Sequence, residues 1–194
     1  MYGTRIAIAD DDAAFRKKLK ETLVHAGYMV VAEAGHGRSL LKAVFQTEPD
    51  LVIMDAKLPG AEGLEIARII EEHRVAPVIL LTASHEKEVL EEAKASRVFA
   101  YLVKPLSEAH LLPAIEISIA NFKQMLRLQE ENKKLKQALE SRKLVEKAKG
   151  LVMEARGWSE KEAYKYLQKL SMDNCVPIAS VARQIIAHFS KNGR

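Results

Sequence analysis

At 194 residues the chain is long for one small domain and comfortable for two, and 48% hydrophobic with 29% charged residues suits a buried core rather than a disordered chain. A single cysteine, Cys175, excludes an intramolecular disulfide framework, and no opening segment joins a basic head to a long apolar run, so a cytoplasmic protein outside the membrane is expected. The net charge of +4 hides an asymmetry: through Ile119 there are 14 Lys+Arg against 18 Asp+Glu, and from Ala120 onward 16 against 8. Such a basic half suits a polyanion, most simply nucleic acid, or else a solvated helix face.

From Thr4 to Lys104, apolar runs alternate with amphipathic segments. RIAIA, YMVVAEA, LVIMD, PVILLT and VFAYLV are short, β-branched and almost continuously apolar, which predicts strands buried on both faces. FRKKLKETLVHAG places Phe15, Leu19 and Leu23 four residues apart and closes on Gly27, as a helix with a glycine past its cap does. LEIARIIEEH and HEKEVLEEAKAS repeat the helical pattern. Five strands alternating with helices predict an α/β fold, a doubly wound five-stranded parallel sheet covered on both sides. GHGRSL, with Gly35 and Gly37, lacks the third glycine and the Lys-Ser/Thr ending of a phosphate loop and reads as a strand-to-helix turn.

Parallel sheets carry their sites at the carboxyl ends of the strands. Asp10, Asp11 and Asp12 follow the first strand, Asp55 closes LVIMD, Thr82 closes PVILLT, and Lys104 with Pro105 follows the last. One acidic run alone is a turn or a helix cap, the part assigned to Asp12, but several strand ends agreeing point to a hard cation. Mg²⁺ accepts one or two carboxylates beside waters and offsets their repulsion.

Residues 4 to about 121 resemble the receiver domain of two-component response regulators. The resemblance is carried by ADD after the first strand, Asp55 in DAKLPG with Gly63 beyond, Thr82 followed by Ala83, Tyr101, and the Lys104-Pro105 pair. It implies a flavodoxin-like sheet in which Asp55 accepts a phosphoryl group from a sensor histidine kinase. It also implies Mg²⁺ held by Asp10, Asp11, Asp55 and the backbone carbonyl of Lys57, with Lys104 and Thr82 on phosphoryl oxygens and Tyr101 as the switch. No metabolic activity is implied. The six histidines form no metal or triad spacing, so His25, His36, His73, His85, His110 and His188 default to surface or packing, with His85 the one to watch.

After KPLSEAHLL, with Ser107 as a candidate N-cap, the helical pattern continues. Pro113 removes the bond to residue 109 and is a candidate kink. Met125, Leu128, Asn132, Leu135 and Leu139 then follow at 3, 4, 3, 4 spacing, the seam of a short coiled coil whose Asn favours a parallel dimer. Packing back on its own domain is the alternative. This divides the chain into a receiver over 1–121, a helical linker over 122–138 and a third part over 139–194.

The third part predicts a small three-helix bundle. Its first helix ends near Gly157, Ser159 with Glu162 forms a capping box for the second, and Pro177 opens a third striped by Ile178, Val181 or Ala182, Ile185 and Phe189. SRKLVEKAKGLVMEARGWSEKEAYKYLQKLSMDN followed by VPIASVARQII resembles the ANTAR domain, the RNA-binding output of transcription antitermination regulators. That resemblance implies binding to stem-loops in nascent mRNA and a phosphorylation-dependent homodimer. Lys143, Lys147, Ala148, Lys149, Gly150 and Arg156 are the expected RNA face. Trp158, Tyr164 and Tyr166 offer stacking surfaces, although a lone tryptophan after a helix end is more often a core plug. Gly150 in a helix interior costs about 1 kcal/mol against alanine; it either lets another helix approach or leaves bare backbone for an RNA loop. A DNA-binding output and a protein-interaction adaptor are the competing readings.

Overall fold

The computed structural model describes residues 3–83 and 98–192, so HEKEVLEEAKAS and His85 lie outside the described residues. In chain order the elements are β1 (Arg5–Ala9), α1 (Ala13–His25), β2 (Met29–Ala34), α2 (Gly37–Thr47), β3 (Leu51–Asp55), β4 (Lys57–Leu58), β5 (Ala61–Glu62), α3 (Gly63–Glu72), β6 (Val78–Thr82), β7 (Ala100–Val103), α4 (Glu108–Arg156), α5 (Glu160–Asp173) and α6 (Ile178–Asn192). They form two compact units, Met1–Leu126 and Arg127–Arg194, with the division falling inside α4. Of the described helices, none is long and apolar enough to cross a membrane.

In the first unit β1, β2, β3, β6 and β7 make one parallel sheet in the order β2-β1-β3-β6-β7. The order doubles back at β1, so the crossovers cover both faces and the strands must be apolar on both. Alternation along each strand sorts the side chains. Ala7, Ala9, Val52, Met54 and Leu80 join Leu40 and Val44 of α2 and Ile66 and Ile70 of α3. Ile6, Ile8, Leu51, Ile53, Ile79 and Leu81 join Leu19 and Leu23 of α1 and Leu111, Ile115 and Ile119 of α4. Every residue of β3 and β6 is buried, and each fully buried Leu or Ile contributes about 1.5–3 kcal/mol.

Local chemistry fixes the connections. Asp12 caps α1 by accepting from the Ala14 and Phe15 amides at 2.8 and 3.1 Å, and Gly27 follows the helix at φ 89°. GHGRSL is the turn into α2, as its composition predicts. Pro113 does not break α4, which runs unbroken through it for 49 residues.

The second unit packs the end of α4 against α5 and α6. Val145, Ala148 and Val152 recur at helical spacing on α4 and meet Ala163 and Leu167 of α5 and Val181 and Ala182 of α6, so the alternative at the latter pair resolves to both. Gly157 ends α4 at φ 67°, and the capping box is complete: the Ser159 hydroxyl accepts from the Glu162 amide while the Glu162 carboxylate accepts from the Ser159 amide. A core of this size is marginal alone, which makes the terminal turns of α4 essential to it.

Candidate functional sites

The carboxyl ends of β1, β3 and β6 bring Asp10, Asp55 and Thr82 to one edge of the sheet, all three buried. Lys104, just past β7, completes the group: its backbone amide donates to the Thr82 carbonyl at 2.7 Å, and its ammonium donates to Asp10 Oδ2 at 2.6 Å and to Asp55 Oδ2. Asp10 Oδ1 accepts from the Asp12 amide at 3.0 Å and Asp55 Oδ1 from the Lys57 amide at 2.7 Å. Both carboxylates are thus oriented by backbone and share one cation. Burial, outweighing the pull of Lys104, raises the Asp10 pKa above its ordinary value. For Lys104 burial acts downward and is the largest single cause, but the bonds to Asp10 and Asp55 together outweigh it and the net direction is up.

The loop after Asp55 turns tightly at Gly60 (φ 86°), between β4 and β5, and delivers Gly63 to the start of α3. A Cβ on Gly63 would lie 2.6 Å from the Ala56 carbonyl oxygen and 2.8 Å from that of Asp55, so only glycine lets α3 begin against this loop. Tyr101 is half-buried on β7, packed against the core on the α2 and α3 face. Two neighbours of the site carry no motif signal: Phe15 lies under the Lys104 ammonium at 4.2 Å from its ring centre, and the Arg16 guanidinium donates to the Asp10 carbonyl. Phe15 reads from the sequence only as part of an apolar stripe, which gives no hint of its second contact.

Asp11 is exposed, and no group of three or more His, Cys, Asp or Glu among the described residues forms a preassembled cage. The donor chemistry nevertheless fits Mg²⁺: two buried carboxylates already converge on a single positive charge, and that ion asks for one or two carboxylates with the remaining positions left to water.

The expected RNA face divides. Lys143 and Lys147 are exposed, the first ion-paired with Glu140 at 2.9 Å. Ala148 is fully buried, because helical spacing puts it between Val145 and Val152 on the face toward the bundle core; it is not a surface contact. Lys149 is a second correction. Its side chain is only 8% exposed and its ammonium is held by Glu146 at 2.9 Å and Glu160 at 2.6 Å, which raises its pKa and ties α4 to the start of α5. The Glu146 partner is legible as an i,i+3 pair, whereas Glu160 arrives only through the turn at Gly157. Gly150 is exposed, and a Cβ there would meet nothing within 4 Å, so close helix approach does not account for it. Trp158 packs partly against the bundle core, edge to face with Tyr166 at 5.5 Å, and the exposed Arg156 guanidinium lies over both rings.

Comparison with known proteins finds one family in each of the two units. Residues 6–116 match the family model of the response regulator receiver domain and residues 133–186 that of the ANTAR domain. The transcriptional regulatory protein PdtaR of Mycobacterium tuberculosis is 40% identical over 182 residues, covering 94% of this chain and 89% of that one. The chemotaxis protein CheY of Thermotoga maritima is 31% identical over 114 residues, 58% of this chain and 95% of that one. A crystal structure of a response regulator receiver domain protein from Clostridium thermocellum superposes with a TM-score of 0.58 at 27% identity, over 63% of this chain and 98% of that one. The chain belongs to the two-component response regulators that carry an ANTAR domain behind their receiver.

Proposed function

We propose that the protein is a phosphorylation-controlled transcription antiterminator that binds stem-loop RNA in nascent transcripts. The observation that carries the first half is the pair of buried, backbone-oriented carboxylates of Asp10 and Asp55 around one lysine ammonium. Asp55 attacks the phosphorus of a phosphohistidine on a sensor kinase; the P–N bond breaks as a P–O bond forms, giving an acyl phosphate on Asp55. Asp10, Asp11, Asp55 and the Lys57 carbonyl would hold Mg²⁺. When bound, that ion neutralises charge on the phosphoryl oxygens. Lys104 transfers its ammonium from the carboxylates to a phosphoryl oxygen, Thr82 donates its hydroxyl to another, and Tyr101 responds to the Thr82 movement. Water later hydrolyses the acyl phosphate and resets the site.

The output follows from α4 and the bundle. Leu128, Leu135 and Leu139 are 55%, 71% and 54% exposed, a row of large apolar side chains on a helix with polar residues around it. Phosphorylation drives two chains together along this seam, with Met125 and Asn132 in register, and presents two bundles to paired RNA loops. Lys143, Lys147, Gly150 and Arg156 form the RNA face, with charge for the phosphates and bare backbone at Gly150 for close approach.

The test is affinity of the full-length protein for hairpin RNA and for duplex DNA of equal charge at one salt concentration, with and without beryllofluoride as phosphoryl mimic. Tighter hairpin binding by a mimic-induced dimer is expected. Preference for the duplex makes the protein a DNA-binding regulator, and no salt-sensitive binding to either makes the tail a protein adaptor.

A further inference from the structure

The corner between α4 and α5 gives Arg156, one of the cations of the RNA face, a surrounding that the lysines of that face lack. Arg156 is the last residue of α4, its guanidinium 4.7 Å from the Trp158 ring centre and 5.0 Å from that of Tyr166. It is exposed and has no carboxylate partner among the described residues, whereas Lys143 and Lys149 in the same unit are both ion-paired. A guanidinium is planar, and the two rings stand at 73° to each other, so it sits in the corner they make, with its solvent side and N–H donors available. Trp158 and Tyr166 pack partly against the bundle core, so the rings beside the guanidinium are in place before binding.

We propose that Arg156, Trp158 and Tyr166 form a nucleotide-stacking site for one unpaired base of an RNA loop. The base lies on the outer face of the Arg156 plane, and the guanidinium edge donates to the phosphate beside it. A paired stem keeps its bases stacked inside and cannot use such a platform, so the site selects loops over duplexes, which the lysines alone do not. This inference rests on the RNA-binding reading above.

Trp158 is the sole tryptophan of the chain, so its fluorescence reports on the site directly. Full-length protein is titrated with short RNA hairpins of fixed stem and randomised loop, and with the same stem closed by an abasic loop. The expected result is quenching of Trp158 by the base-bearing loops and not by the abasic one. R156K keeps the charge but loses the plane: it is expected to bind base-bearing loops about tenfold more weakly, with the salt dependence of affinity unchanged. Because Arg156 is exposed, R156K is expected to melt as the wild type does. R156K binding as tightly as wild type, or equal quenching by abasic loops, overturns the stacking site while leaving RNA binding intact. Failure of the wild type to bind either hairpin removes the RNA reading and this site with it.

Discussion

Each unit of the chain clamps one lysine between two carboxylates, and the two clamps are built inside out relative to each other. In the receiver the acids are the buried partners: the Asp10 and Asp55 side chains are 1% and 11% exposed, against 18% for Lys104. In the bundle the lysine is buried: Lys149 is 8% exposed, while Glu146 and Glu160 are 56% and 71% exposed. Both clamps have the same set of charges, so burial decides what each is for. Two desolvated carboxylates are poor company without a cation and are therefore ready to take a different one. Lys149 keeps one carboxylate when the other is removed, and a freed glutamate is already solvated, which describes a structural tie.

The two clamps differ most at Lys104. Lys104→Met strips the cation from two buried acids and is expected to cost the receiver about 3–5 kcal/mol in urea unfolding without divalent ions. Added Mg²⁺ restores most of that loss; a variant whose stability ignores Mg²⁺ contradicts the shared-cation account. Lys149→Met is expected to cost the bundle about 1 kcal/mol, followed by Trp158 fluorescence, with no response to Mg²⁺.

A second pair of substitutions contrasts the two glycines. Gly63→Ala forces a Cβ into the Ala56 and Asp55 carbonyls and is expected to destabilise the receiver by about 1–3 kcal/mol. Gly150→Ala meets open space in a helix and is expected to stabilise the bundle by up to about 1 kcal/mol. If the stabilised variant also binds hairpin RNA more weakly, the glycine is kept for its bare backbone; unchanged binding removes it from the RNA face.

The two units also differ, by smaller amounts, in their response to acid. Lys149 lowers the Glu160 pKa and Ser159 lowers that of Glu162, so their contributions are complete above the ordinary value of 4.5 and are lost as pH falls through the depressed values. Asp10 runs the other way. Its pKa is raised above 3.8, chiefly by burial, so in the window above 3.8 its contribution grows on acidification and declines as pH rises through the folded value. Melting followed at Trp158 therefore declines below pH 4.5, and Asp10→Asn removes an opposing trend from the receiver signal in far-ultraviolet dichroism.

The receiver was the more legible half because its chemistry sits where the sequence changes character. Asp10, Asp55, Thr82 and Lys104 each follow an apolar run, and a parallel sheet converts those boundaries into one edge. The bundle offers no such landmark. Ala148 and Lys149 fall beside lysines and a glycine that suggest a binding face, yet α4 turns Ala148 inward, and Glu160 reaches Lys149 only through a cap and a turn. Spacing along one helix predicts a stripe; which neighbour meets that stripe depends on how the next helix starts. The same holds for Arg156, whose aromatic partners come from the corner and from α5.

Asp55 is the proposed phosphoryl acceptor. Full-length protein incubated with isotopically labelled acetyl phosphate and Mg²⁺ is expected to take up label that Asp55→Asn abolishes and chelation of the metal suppresses. Labelling of the Asp55→Asn variant at the wild-type level would contradict the account.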